Sequence, residues 1–212
     1  PKGSRVNAAA AGPLLQRLAE YDRVAMVETP IPQRDILGNR QIRARIERPL
    51  AMHFGSPPYG TGVREEICDG FVVSGGATQV LRQGTLSAEV GMPFWLQLVG
   101  NGLTTVWAAH LGAVLSHATW PTISCINMYS HHLLTKPVQV INGHQRVPDG
   151  PGLGVEVDEE AVERFRVPQE VLDEHAGRGE LFIHPQPRLI NATIYPDKTC
   201  IYSYSLSAPG TY

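Results

Sequence analysis

The sequence predicts an α/β fold: a partial (β/α)8 TIM-type barrel of about five βα units with an irregular C-terminal extension. Three observations predict it. Short apolar runs alternate with longer amphipathic segments, five of the runs recur at nearly even intervals, and each run carries a polar residue at or near its end. The last polar residues are Glu28, His53, Ser74, Gln97 and Asn127, and the intervals between them are 25, 21, 23 and 30 residues. That spacing leaves room for the crossover of a dozen or more residues that joins parallel strands, overwhelmingly with one hand. An open doubly wound sheet accepts the same spacing. The barrel is preferred because every strand end carries a site-type residue, whereas an open sheet concentrates them at one switch point. A complete barrel takes about 250 residues, so five strand runs in 212 residues are expected to form a portion of one.

Each element has its own local reason. Val6 to Glu20 sets Ala11, Leu14, Leu15 and Leu18 at three- and four-residue steps, which is one apolar helical face. Strand-like runs follow at Val24 to Glu28, Leu50 to Phe54, Phe71 to Ser74, Phe94 to Val99 and Ile123 to Met128, short and mostly apolar as strands covered on both faces are. Between them, Asp35 to Glu47 carries Ile36, Ile42 and Ile46 opposite several arginines, and Ala77 to Val90 carries Val80, Leu81 and Ala88. Thr104 to Ala118 is apolar nearly all round. Tyr59 to Cys68 is expected to start its helix only at Val63, because Gly60 and Gly62 each cost about 1 kcal/mol in a helix interior. After Tyr129 the rhythm stops. The turn-rich PDGPGLG stretch, an acidic helix over Asp158 to Arg166 and two short strands near Arg188 to Tyr195 and Thr199 to Tyr204 follow, so residues 1–150 are read as the barrel portion and 151–212 as the extension, packed against barrel or partner.

Composition excludes several classes. Net charge is −2, with no cation-rich patterning for a phosphate backbone, so nucleic acid is not an expected partner. No apolar run approaches the about 20 residues of a membrane helix. The odd, scattered Cys68, Cys125 and Cys200 form neither a disulfide framework nor a zinc pattern, and Pro1 to Asn7 lacks the look of a secretory signal, so a cytoplasmic protein is expected. No GxSxG, HExxH or GxxxxGK[ST] string occurs, and the lysines, Lys2, Lys136 and Lys198, lie away from the strand ends.

The strand ends are therefore the candidate site. Glu28, before Thr29 and Pro30, offers a carboxylate suited to a hard cation such as magnesium; a solvated or arginine-paired glutamate is the plainer reading. His53 can bind a metal or act as general acid or base near neutral pH, and equally can be a hydrogen-bonded structural histidine. Ser74, Gly75 and Gly76 precede a helix, where amides can hold a carboxylate, although a glycine pair there also serves positive φ or close packing. Gln97 and Asn127 can bind and orient a polar substrate but cannot transfer protons. His110 and His117 are expected to pack or cap, and His131 and His132 to lie in a solvated loop.

Taken in order, VETPIP, RPLAMHFGSPP, DGFVVSGGATQVLRQGTLSAEVGMPFWLQLVGNGLTTVWAAHLGA and PDGPGLGVEVDEEAVERF resemble the mandelate racemase and muconate lactonizing branch of the enolase superfamily over about Val6 to Val167. The resemblance implies an N-terminal capping domain and a modified barrel that binds Mg2+ through three carboxylates on successive strands. It implies abstraction of a proton beside a substrate carboxylate, with the metal stabilising the enediolate, in a lyase or isomerase reaction. Glu28 matches the second metal ligand. His53 stands at the third, where the family usually has Glu or Asp. Ser74 or its neighbours fall where some members carry a lysine base or an aspartate, and Gln97 where others carry a catalytic histidine. The first ligand is expected at or before Pro1. The implied partner is a small-molecule carboxylate of the acid-sugar kind, and a homo-oligomer is expected because a partial barrel exposes strand edges. A non-catalytic fragment that binds ligand or a partner subunit is the other reading.

Overall fold

A computed structural model describes residues 7–170 throughout and, as backbone, the strands Leu189–Ile194 and Cys200–Ser205. Asn7 opens α1 (Ala8–Ala19): its side-chain oxygen accepts from the Ala10 amide at 3.0 Å, which satisfies one of the helix's orphan donors. The units β1 (Val27–Glu28), α2 (Ile36–Arg43), β2 (Leu50–His53), α3 (Tyr59–Arg64), β3 (Gly70–Val73), α4 (Ala77–Glu89), β4 (Phe94–Leu96) and α5 (Gly102–Val114) then alternate. Asp35 and Asn101 cap α2 and α5 in the same way as Asn7, so each of these helices starts one residue after a side chain able to hold its first turn.

Helix α3 starts at Tyr59, four residues before the expected Val63, with both glycines inside it. Tertiary contact outweighs propensity here. The Tyr59 ring stacks on Phe54 with centroids 5.0 Å apart, its hydroxyl donates to the Leu86 carbonyl at 2.5 Å, and Phe71 completes the aromatic group.

The four strands are parallel and lie in sequence order β1-β2-β3-β4, with Glu28 opposite Ala51, His53 opposite Val72 and Val72 opposite Trp95. Side chains alternate between two faces. Leu50, Met52, Phe71, Val73, Phe94 and Leu96 form one core with Ile42, Val80, Ala108 and Leu111 from the helices. Full burial contributes about 1.5–3 kcal/mol per large side chain. The other face holds a smaller cluster of Ala51, Val72 and Trp95, with Met26, Trp120 and Ile123 packed on it. The strand order is unreversed, so the sheet lacks the order reversal of a doubly wound sheet.

The fifth strand is shorter and earlier than expected. Ile123 donates to the Leu96 carbonyl at 2.9 Å, Leu98 to Ile123 at 3.1 Å and Gly100 to Ser124 at 3.0 Å, so residues 120–124 run parallel beside β4. Cys125 then turns left-handed at φ 54°, and Ile126–Met128 is a 3-10 turn. Extended pairing cannot continue through that kink.

Residues 1–157 form one compact unit and 158–212 a second. The PDGPGLG stretch belongs to the first, where the Leu153 carbonyl lies 3.1 Å from His110 Nε2 and Thr135 donates to the Glu156 carbonyl at 3.0 Å. The second unit contains α6 (Glu159–Arg164), capped by Asp158, and the antiparallel pair β5 (Leu189–Ile194) and β6 (Cys200–Ser205), within a residue or two of the expected elements. Among the described residues no helix is long and apolar enough to cross a membrane.

Candidate active site

Met26, Ala51, Val72 and Trp95 occupy the face away from the main core, so two residues further along each strand the side chains of Glu28, His53, Ser74 and Gln97 belong to that same face at the C-terminal edge. The period of two thus turns four evenly spaced sequence positions into one row. Within it, Glu28 Oε1 and His53 Nε2 are 2.8 Å apart. Both side chains keep about 30% of their surface exposed, 27% and 31%, while the two contacting atoms themselves are shielded from solvent. A carboxylate against an imidazole fixes the ring and offers a charge partner when the ring carries a proton.

Gln33, which sequence reasoning missed, holds this pair's backbone. Its Oε1 accepts from the His53 amide at 2.8 Å and from the Thr29 hydroxyl at 2.9 Å, and its Nε2 donates to the carbonyls of Ser56 and, at 3.4 Å, His53. Thr29 follows Glu28 with φ 44°, an uncommon conformation for a β-branched residue. The only sequence signal is a polar residue amid TPIPQ, which periodicity does not single out.

Ser74 continues β3, and its amide donates to Oε1 of the buried Gln83 on α4 at 3.3 Å. Gly75 has φ 113°, and a Cβ there would meet Gln79 Oε1 at 2.3 Å, so this glycine has a conformational reason to be present. Gly76 caps α4 without a side-chain hydrogen bond. The Gln97 amide donates to the Val73 carbonyl at 2.8 Å, while its Oε1 is buried with no hydrogen-bond partner among the described residues, as is Nε1 of Trp95 below it. Asn127 is not at a strand tip. It is exposed on the 3-10 turn, because the extended segment ends before it.

Two further histidines, His131 and His132, hold backbone amides. Nδ1 of His131 accepts from the Leu133 amide and Nδ1 of His132 from the Val138 amide, each at 3.0 Å, so the expected solvated pair instead shapes a turn.

A magnesium ion prefers near-octahedral oxygen coordination. Glu28 and His53 supply one carboxylate and one imidazole, and among the described residues no three His, Cys, Asp or Glu side chains converge. This donor set does not by itself fit magnesium.

Residues 69–161 match the family model described as enolase C-terminal domain-like. Muconate cycloisomerase 1-1 of Acinetobacter lwoffii is 35% identical over 94 residues, 43% of this chain and 25% of that protein. The crystal structure of muconate cycloisomerase from Pseudomonas fluorescens superposes with a TM-score of 0.66 at 22% identity, covering 77% of this chain and 47% of its own. The chain is similar in sequence and fold to the mandelate racemase and muconate lactonizing branch of the enolase superfamily. An enolase from Bradyrhizobium, complexed with magnesium and mandelic acid, superposes with a TM-score of 0.59 at 24% identity, over 77% of this chain and 44% of its own. The chain thus spans about half the length, or less, of these superfamily proteins.

Proposed function

We propose that this enolase-superfamily chain contributes the C-terminal strand edge of a barrel enzyme that abstracts the proton α to the carboxylate of a small organic acid. The observation that carries the proposal is the Glu28–His53 contact at 2.8 Å on adjacent parallel strand ends. Of the polar strand-end residues, His53 carries the side-chain type that most often serves as a general base, so it takes that role. Glu28 holds its ring. Gln97, whose buried Oε1 has no partner among the described residues, accepts a hydrogen bond from a substrate hydroxyl, and the turn at Ser74, Gly75 and Gly76, at the N-terminus of α4, receives the carboxylate. Asn127, exposed beyond the last paired residue, is a second polar contact for an extended substrate.

Mandelic acid in the Bradyrhizobium structure supports a hydroxy-acid substrate class, and muconate cycloisomerase supports a carboxylate one. Magnesium accompanies the former. For this chain Glu28 and His53 are the candidate ligands, but they are two donors of an octahedral set, so no step is assigned to the ion.

The test is deuterium incorporation at Cα of mandelate and related 2-hydroxy acids in D2O, read by NMR for the protein and for Glu28→Gln and His53→Asn. Exchange that both variants abolish supports the proposal. Exchange that survives His53→Asn, or none with the unaltered protein, overturns it.

A further inference from the structure

Gln33 sits outside every motif that carries the family likeness, yet its side chain has no hydrogen-bonding capacity to spare. A glutamine amide offers two lone pairs and two hydrogens. Both lone pairs are taken, by the His53 amide and the Thr29 hydroxyl, and both hydrogens point to carbonyls, those of Ser56 and His53. The orientation of the amide follows from this network, because exchanging its oxygen and nitrogen would set two N–H groups against each other at His53. The partners lie on the two strand ends that carry the pair: Thr29 directly follows Glu28, and His53 is the other member. The loop beyond His53 is held as well, through Ser56.

Thr29 adds a reason for such a clamp. A β-branched residue at φ 44° is held against its local preference, and strained positions of this kind persist where surrounding contacts over-determine them. Its amide still donates to the Ala51 carbonyl at 3.0 Å, so the kink begins while β1 remains paired to β2. The kink therefore sets the direction in which the chain leaves Glu28, and Gln33 ties that kink to the backbone that aims His53.

We infer that Gln33 is a positioning residue: it locks the ends of β1 and β2 to each other and thereby sets the approach of Glu28 to His53. The inference rests on the proton-abstraction reading for its catalytic consequence, although the positioning itself does not require turnover. The same clamp limits how far Glu28 and His53 can part, so a substrate that needs them separated is disfavoured.

The experiment follows the His53 Cε1–H signal by NMR in 13C-labelled protein at fixed pH. The Glu28→Gln variant marks where the ring resonates once its carboxylate is gone. Gln33→Met keeps the length of the side chain and removes all four hydrogen bonds. It should move the ring signal most of the way to that reference while amide signals from β3 and β4 stay in place. Where exchange is measurable, kcat should fall about tenfold or more, as for a misaligned base, with KM little changed. Thr29→Val, which deletes a single bond and keeps the shape, should move the signal the same way by less, and it decides the matter if Gln33→Met does not fold. A ring signal that stays at its original position in Gln33→Met, or in Thr29→Val where that variant decides, overturns the inference. Absence of α-proton exchange overturns the proposed activity alone, because the ring signal is read without turnover.

Discussion

Glu28 meets His53 at 2.8 Å at the C-terminal edge of the parallel sheet, and Asp69 meets Arg43 at the same distance at the N-terminal edge. The two contacts differ in what surrounds them. Asp69 uses its second oxygen to accept from the Leu50 amide at 2.8 Å, and Arg43 also donates to the Glu66 carbonyl at 3.0 Å, so that pair stitches the starts of β2 and β3 to α2. A guanidinium does not give up its proton in a protein. His53 is bound through its backbone by Gln33, its ring lies against the Glu28 carboxylate, and Gln97 on the same face carries an acceptor with no partner among the described residues. Equal distances thus support different roles. A cavity of about 680 Å3 opens at the Asp69 edge, lined by Arg40, Arg43, Arg48 and Trp120 together with Glu47 and Glu66, away from the candidate site. Cations and anions are interleaved there, which leaves no net preference for an acidic ligand.

The sharpest break between the edges comes from removing each pair. His53→Asn or Glu28→Gln should slow α-proton exchange at least about 100-fold, the usual loss of a general acid–base group. The partly exposed pair should cost no more than about 1 kcal/mol of stability, read by thermal denaturation. Asp69→Ala should do the reverse, lowering stability by about 2 kcal/mol through loss of a charged hydrogen-bond acceptor, with exchange per folded molecule unchanged. If Asp69→Ala abolished exchange in a fully folded protein, the division between the edges would be wrong.

A smaller effect is expected at Gln97. Replacing it with leucine removes a buried acceptor that lacks a partner among the described residues, so stability should rise by about 1 kcal/mol in denaturant titrations while the affinity for a hydroxylated acid falls.

The smallest effect belongs to Cys68, next to Asp69. Burial, and then the Asp69 charge, push its thiol from 9.0 up to about 12, with the Gly70 amide and Arg43 acting the other way. A pKa raised on folding means that the unfolded chain loses its proton first. The stabilisation is therefore complete below pH 9.0 and is lost as pH rises toward about 12. Raising the pH from about 8 to about 9.5 should cost less than about 1 kcal/mol from this group. Cys68→Ala should flatten that slope in urea melts, and alkylation should reach the half-buried Cys125 well before Cys68.

The row of Glu28, His53, Ser74 and Gln97 is legible in the residue order, because βα units have a characteristic length and the strand period of two places those four on one face. Asn127 does not join them: the same spacing argument points to it, but a left-handed Cys125 ends the extended segment first. The start of α3 departs from its expected position because glycine propensity is local and the Tyr59 stack on Phe54 is not. Gln33 leaves no trace in the pattern. Its partners lie 4, 20 and 23 residues away, and no periodicity relates a loop amide to a strand end.

By itself, then, the sequence determined the alternation of strands and helices, the caps that start them and the polar residue at each strand's end, because these depend on chemistry within a few residues. Only the tertiary structure decided that Glu28 and His53 touch, that Gln33 joins their backbones and that the fifth strand stops short. Those outcomes depend on register and packing between segments some 20 residues or more apart, where side-chain contact outweighs local preference.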